Sequence, residues 1–193
     1  MGNITNVVIN VASYIPYWHP YENYKELYAC RKDLGGGVLL TEIHEFDLCI
    51  WYFGKPKSVI CVGGTYSNVG LDVEDTIHAT LNYEEFSIQV NLTFWQKKAV
   101  RSIFIAGENI SISWNQEGNN LQIYDHTGEP STIQMQEEIS ADLMFDLQIK
   151  DILTNSNLGQ SKTNILNSNL SLSIVLAAKQ SMKENRAVNL DSK

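Results

Sequence analysis

From Phe86 to Phe94 the chain alternates without a fault: Phe86, Ile88, Val90, Leu92 and Phe94 share one parity, and Ser87, Gln89, Asn91 and Thr93 the other. Side chains of a strand leave the backbone on opposite sides with a period of two, so this segment reads as a strand with one face to bury. Ile77, Ala79, Leu81 and Tyr83 repeat the pattern upstream, and Ile103 with Ile105, then Ile110 with Ile112, repeat it downstream. Polar turns separate the runs at Asn82 to Glu85, Gly107 to Asn109, Gln116 to Asn120 and His126 to Pro130. Residues 58–136 are therefore expected to form an antiparallel meander with one apolar and one mixed face.

A sheet of that kind must cover its apolar face, and the cover available is helical. The spacing predicts one helix over Val38 to Phe53, closed by Gly54 and Pro56. A second is expected at about Ser140 to Thr154, with Leu143, Leu147 and Ile152. A third is expected at about Asn164 to Asn185, with Leu166, Leu170, Ile174 and Ala177. Ahead of these, Val7 to Ile15 reads as a strand and Pro16 to Pro20 as an aromatic loop. Tyr21 to Arg31 reads as weakly helical through Tyr24, Leu27 and Tyr28. The expected fold is thus a single α+β domain spanning 1–193, a large open, mainly antiparallel sheet with helices packed on one face. The other face, with Gln89, Thr93 and Trp95, is left free to meet a second subunit.

Composition removes several classes of function. A formal net charge of −8 offers no basic face to a phosphate backbone, which argues against a nucleic-acid partner. No apolar run approaches the roughly 20 residues of a membrane helix. The start MGNITNVVINV lacks the basic and apolar regions of a signal peptide, and Asn6 does not suit an N-myristoylation signal, so the cytoplasm is the expected compartment. Cys30, Cys49 and Cys61 have no metal-ligand spacing and are expected to be buried, reduced thiols.

The candidate chemistry lies in DLGGGVLLTEIHEFDLCIWYFG, residues 33–54. Gly35, Gly36 and Gly37 let the backbone come close to a ligand or to another chain before a helix begins. His44 follows about a turn and a half into that helix and titrates near neutral pH, which suits a proton donor or acceptor. The competing reading is a histidine at a helix–sheet seam, oriented by Asp47, with Glu42, Glu45 and Asp47 mostly at solvated or seam positions. A zinc-protease motif would need histidine at position 48, where Leu48 stands, and His19, His78 and His126 are not grouped by spacing, so no metal site is expected. No G-x-G-x-x-G follows a strand, position 40 being Leu40, and no P-loop is present. Tyr14, Tyr17, Trp18 and His19 could form a wall on which a sugar ring stacks, or could simply cover the sheet edge.

Taken together, Ser13-Tyr14-Ile15-Pro16-Tyr17-Trp18-His19-Pro20, then Arg31-Lys32-Asp33-Leu34-Gly35-Gly36-Gly37-Val38-Leu39-Leu40, then Ile43-His44-Glu45-Phe46-Asp47 resemble the C-terminal domain of the glucose-fructose oxidoreductase / inositol dehydrogenase / MocA family. The resemblance follows the order of elements over essentially the whole chain. It implies an open sheet that supports a homodimer or homotetramer, and a glycine-triplet helix that faces the nicotinamide of a separate N-terminal Rossmann domain. The family's enzymes are NAD(P)-dependent dehydrogenases of sugars, inositols and nucleotide sugars. In them the histidine matching His44 touches the hydroxyl or carbonyl being oxidised or reduced. His44 is therefore the expected catalytic residue. Tyr14, Trp18, His19, Arg31, Lys32 and Thr41, from the matching stretches, are the expected contacts of a sugar or nucleotide-sugar ligand. An acidic residue commonly precedes the histidine by three or four positions; Thr41 stands there with Glu42 beside it, so that acid is displaced or lost. The family's cofactor-binding glycines and its Glu-Lys-Pro lysine belong to the Rossmann half, which these residues do not contain. The expectation is a chain that binds no cofactor by itself, turns nothing over alone and works with a Rossmann-domain chain. The alternative is a non-catalytic sugar-binding or assembly protein that kept the sheet.

Overall fold

Parity decides how the alternating segments stack. The computed structural model describes residues 1–118, 120–134, 141–155 and 165–190. Its strands are β1 (Ile4–Tyr14), β2 (Ser58–Gly64), β3 (Thr76–Asn82), β4 (Ser87–Thr93), β5 (Trp95–Gly107), β6 (Ser111–Asn115), β7 (Asn120–Tyr124), β8 (Pro130–Gln134) and β9 (Val188–Asn189). They form one sheet in the order β8-β7-β6-β5-β1-β4-β3-β2-β9. The meander holds from β2 to β4 and from β5 to β8, but β1 divides it. β1 runs parallel to β4, with Ile9 opposite Val90 and Val11 opposite Leu92, and antiparallel to β5, with Ile9 opposite Ile103 and Val11 opposite Arg101. The division is made where Phe94 alone separates β4 from β5. There the chain steps across the end of β1, and Ile15 donates its N–H to the Phe94 carbonyl at 3.0 Å.

The inward parity is buried as the alternation requires: Val7, Ile9, Val59, Cys61, Ile77, Ala79, Leu81, Ile88, Val90 and Leu92 are all closed to solvent. Each such aliphatic side chain contributes on the order of 1.5–3 kcal/mol. Three helices provide the cover, α1 (Val38–Thr41) with Val38 and Leu39, α2 (Ile43–Phe53) with Phe46, Cys49 and Ile50, and α4 (Ile165–Glu184) with Ile174, Val175, Ala177 and Ala178. Polar bolts fix α2 and α4. Ser171 Oγ donates to Asp47 Oδ1 at 2.7 Å, and Ser181 Oγ accepts the Cys61 N–H at 2.9 Å. The three cysteines are free and buried, and burial pushes the Cys30 thiol up to about 11 and those of Cys49 and Cys61 to about 12. Among the described residues no helix is long and apolar enough to cross a membrane.

Four expectations are corrected. The helix expected over 38–53 is two helices, α1 (Val38–Thr41) and α2, because Glu42 leaves helical geometry at φ −97°, ψ 27°. The stretch 21–31 is not a helix but part of a series of short 3-10 turns, Tyr24–Glu26, Tyr28–Cys30 and Lys32–Leu34. Its carbonyls are claimed by the glycine turn, since Gly36 N–H donates to Arg31 O at 2.8 Å and Gly37 N–H to Ala29 O at 2.9 Å. The helix α3 (Ala141–Asn155) does not cover the sheet: Leu143, Leu147 and Ile152 are exposed, the inner face being occupied by α1, α2 and α4. Trp95 does not present itself on the free face either, but packs half-buried against Tyr14 and Tyr24, with ring centroids 5.3 and 6.0 Å away. The expected limits at Gln136, Ser140 and Asn164, like Asn119 in the turn 116–120, lie outside the described residues.

Candidate functional site

The break at Glu42 and the crossing at Phe94 open onto the same place. The β1–β5 ladder is interrupted between the pairs Ala12–Val100 and Tyr14–Trp95, so residues 96–99 leave the register and stand away from β1. Such irregularities re-aim side chains at the rim of a sheet. Here a cavity of about 490 Å³ forms above Ser13, and Glu42, His44, Lys98, Arg101 and Glu117 contribute charged or titratable groups to its wall.

His44 is the centre of the charge arrangement. Its Nε2 lies 3.0 Å from Glu42 Oε2 and 3.3 Å from Glu45 Oε1, with the ring half exposed. Glu45 is fully buried, and its Oε1 lies 2.6 Å from Arg101 Nη2, which reaches up from β5. The contact with Glu42, and then that with Glu45, stabilise the imidazolium and raise the His44 pKa to about 9 against the opposing effect of burial. At neutral pH the ring therefore carries its second proton and can donate it to an oxygen placed in the cavity. A buried carboxylate is tolerated because the guanidinium neutralises it in place. Ser13 Oγ, Thr41 Oγ1, both carboxylate oxygens of Glu45 and Arg101 Nε are buried without a hydrogen-bond partner, so Glu45 is held by its charge contacts with Arg101 and His44 alone, and hydrogen-bonding capacity is left in and beside the same wall.

Glu42 stands two residues before His44, a separation that would not face it on an unbroken helix; the turn at Glu42 brings the two together. Asp47 does not orient the ring, being held by Ser171. Nor are Glu42 and Glu45 solvated. Glu45 and Arg101 were both legible as anomalies: Glu45 falls on the buried stripe with Phe46 and Cys49, and Arg101 has the inward parity of Ile103 and Ile105. A charge at each inward position calls for a partner.

Of the other candidates, Thr41 sits one residue before Glu42 but, like Tyr14, Trp18, His19, Arg31 and Lys32, does not line this cavity. Tyr14 packs edge-on against Tyr17, and Trp18 edge-on against Phe94, where both cover the end of the sheet. His19 Nδ1 meets the Tyr21 hydroxyl at 3.1 Å. Arg31 is bound to Asp33 at 2.6 Å, and the Lys32 N–H donates to Asp72 Oδ1.

The glycine triplet serves the chain itself. A Cβ on Gly36 would stand 2.4–2.8 Å from the carbonyls of Tyr28, Arg31 and Ala29, and one on Gly37 would meet the Glu74 carboxylate at 2.4 Å. With the N–H groups of Gly36, Gly37 and Val38 already bonded to Arg31, Ala29 and Glu74 carbonyls, the turn has no free donors for a pyrophosphate. Among the described residues one group could close on a metal ion, Glu42, His44 and Glu45, whose donor atoms lie within 4.8 Å of one another; the Arg101 cation on Glu45 opposes a second cation there.

Comparison with known proteins identifies the fold's lineage. The GFO/IDH/MocA C-terminal domain family matches residues 1–113, more than half of the chain, and the chain belongs to that family. No curated protein matches it by sequence. Among solved structures, levoglucosan dehydrogenase in complex with NADH and levoglucosan superposes with a TM-score of 0.83 at 16% identity, over 98% of this chain and 59% of that one. The WlbA dehydrogenase from Bordetella pertussis, in complex with NADH and UDP-GlcNAcA, gives 0.72 at 20% identity over 98% and 56%. An oxidoreductase from Agrobacterium radiobacter, in complex with NAD+, L-tartaric acid and magnesium, gives 0.78 at 16% identity over 99% and 58%. The chain thus spans a little under three fifths of each of these relatives.

Proposed function

We propose that this member of the GFO/IDH/MocA C-terminal domain family is the substrate-binding and assembly half of an NAD(P)-dependent sugar or nucleotide-sugar dehydrogenase, in which His44 exchanges a proton with the substrate oxygen. The observation that carries the reading is His44 itself, a half-exposed imidazole held between two buried carboxylates on a cavity wall. Hydride chemistry needs a nicotinamide, and on this reading a nucleotide-binding domain holds it. The complexes of levoglucosan dehydrogenase and WlbA with sugar ligands support the choice of substrate class.

The isolated chain is expected to bind an anhydrosugar or a UDP-sugar by calorimetry, and His44→Ala to weaken that binding at least about tenfold, the scale of one lost charge-assisted hydrogen bond. Unchanged affinity in His44→Ala would defeat the reading. Oxidation of a sugar by this chain alone with NAD+ would defeat the assignment of the redox half to another domain.

The assembly role draws on the free face of the sheet, where Ile60, Val62 and Phe104 are exposed. Beside them runs a directed polar chain: His78 pairs with Asn91, Asn91 donates to Asn10 and Asn10 to Ser102. An open sheet face with exposed apolar side chains set among fixed polar groups suits a homodimer or homotetramer built face to face. Light scattering at micromolar concentration is expected to give a mass of two or four chains; a monomer would remove this part. The second reading, a non-catalytic binding or assembly protein, is favoured by the closed glycine turn, and is distinguished by retained sugar binding without turnover when a Rossmann-domain chain is added.

A further inference from the structure

We infer that Arg101 is a positioning residue for His44: by holding the Glu45 oxygen nearest the imidazole, it leaves Glu42 as the carboxylate that binds the His44 N–H. The argument is geometric. One atom, Glu45 Oε1, lies 2.6 Å from Arg101 Nη2 and 3.3 Å from His44 Nε2, while Glu42 Oε2 lies nearer the ring at 3.0 Å. A carboxylate oxygen with a guanidinium nitrogen 2.6 Å away has less negative potential to offer a third group, by Coulomb's law alone. Arg101 is anchored in the sheet opposite Val11, whereas both carboxylates belong to the broken helix segment. It therefore fixes α2 over the end of β1 and determines where the ring stands. The remaining charged groups on the cavity wall are Lys98 from β5 and Glu117 from the β6–β7 turn. These two pair with each other at 3.0 Å near the surface, and β1 contributes only Val11, Ala12 and Ser13. Among the described residues no further charged group lines that wall.

The consequence for function rests on the reading of His44 above; the coupling itself does not, because it is measurable in the ligand-free chain. The experiment follows the His44 imidazole by nitrogen-15 NMR through a pH titration in the wild type, Arg101→Ala, Arg101→Lys, Glu42→Gln and Glu45→Gln. Glu42→Gln is expected to lower the His44 midpoint by about one pH unit or more, and Glu45→Gln to lower it by less. Arg101→Ala releases Glu45 Oε1 to the ring and removes a nearby positive charge, so the midpoint should rise. Arg101→Lys keeps the charge and should restore the wild-type value. An unchanged midpoint in Arg101→Ala would reduce Arg101 to a structural bolt and overturn the proposal. So would a larger drop in Glu45→Gln than in Glu42→Gln, which decides the matter even if Arg101→Ala fails to fold. Coupling observed together with sugar binding indifferent to His44→Ala would keep this proposal and sink the proposed function alone.

Discussion

Phe46 and Phe145 sit in two helices of the same chain and meet opposite fates. Phe46, on α2, is fully buried in the core under the sheet, while Phe145, on α3, is 61% exposed. The same contrast runs through the sheet: β3 and β4 alternate between buried and open side chains, whereas every position of β7 is half-buried. Sequence periodicity says which side chains share a face. It does not say whether anything lies on that face. The lesson is that burial here is decided by α1, α2 and α4 and ends where they end.

The comparison is broken most directly by truncating both rings. Phe46→Ala is expected to cost about 3–5 kcal/mol, a transfer loss with a cavity added. Phe145→Ala should stay within about 0.5 kcal/mol, and Ile123→Ala on β7 should fall between the two. Urea unfolding of the three variants measures this; similar losses for Phe46 and Phe145 would show that α3 is packed in solution.

The same division explains what could be read from the sequence. Strands β2 to β4 were legible because alternation there coincides with cover, so parity and burial agree at Ile77, Leu81, Ile88 and Leu92. The insertion of β1 between β4 and β5 was not, because Val7 to Ile15 pairs with strands some 80 to 100 residues away and local pattern carries no partner identity. The position of α3 was misread for the reason given above: an apolar helix announces a need for cover without stating that it is met. At the site, His44 stood out through its chemistry, and the break that turns Glu42 toward it did not, since Thr41-Glu42-Ile43 carries no glycine or proline to mark one.

A smaller effect tests the glycine turn that leads into the covered half. Gly36→Ala forces a Cβ against three backbone carbonyls, none of which can swing aside, and is expected to cost about 1–3 kcal/mol. Gly35 has open space where a Cβ would go, but its φ of 77° is left-handed, so Gly35→Ala should cost about 1–2 kcal/mol and Gly35→Asn less. If Gly36→Ala were neutral while a ligand's affinity collapsed, the triplet would be a ligand cradle after all.

The smallest effect lies on β5, the strand shared by the two halves, where Arg101 reaches toward the covered helix. The His44 pKa rises from 6.5 in the unfolded chain to about 9 in the fold. The folded state thus binds the proton more tightly, and the stabilisation is fully present below about 6.5. It declines as pH rises and is gone once pH passes about 9. Because the ring is half exposed, screening holds the amount to about 1 kcal/mol. Above about pH 9 the unfolded thiols also ionise while the three buried cysteines resist, which lowers stability for a separate reason. The informative window is therefore pH 6.5 to 8.5, where wild-type unfolding free energy should fall steadily and that of His44→Gln should be flatter. Equal slopes in the two proteins would mean that Glu42 and Glu45 do not hold the imidazolium, and the charge arrangement at the seam would lose its basis.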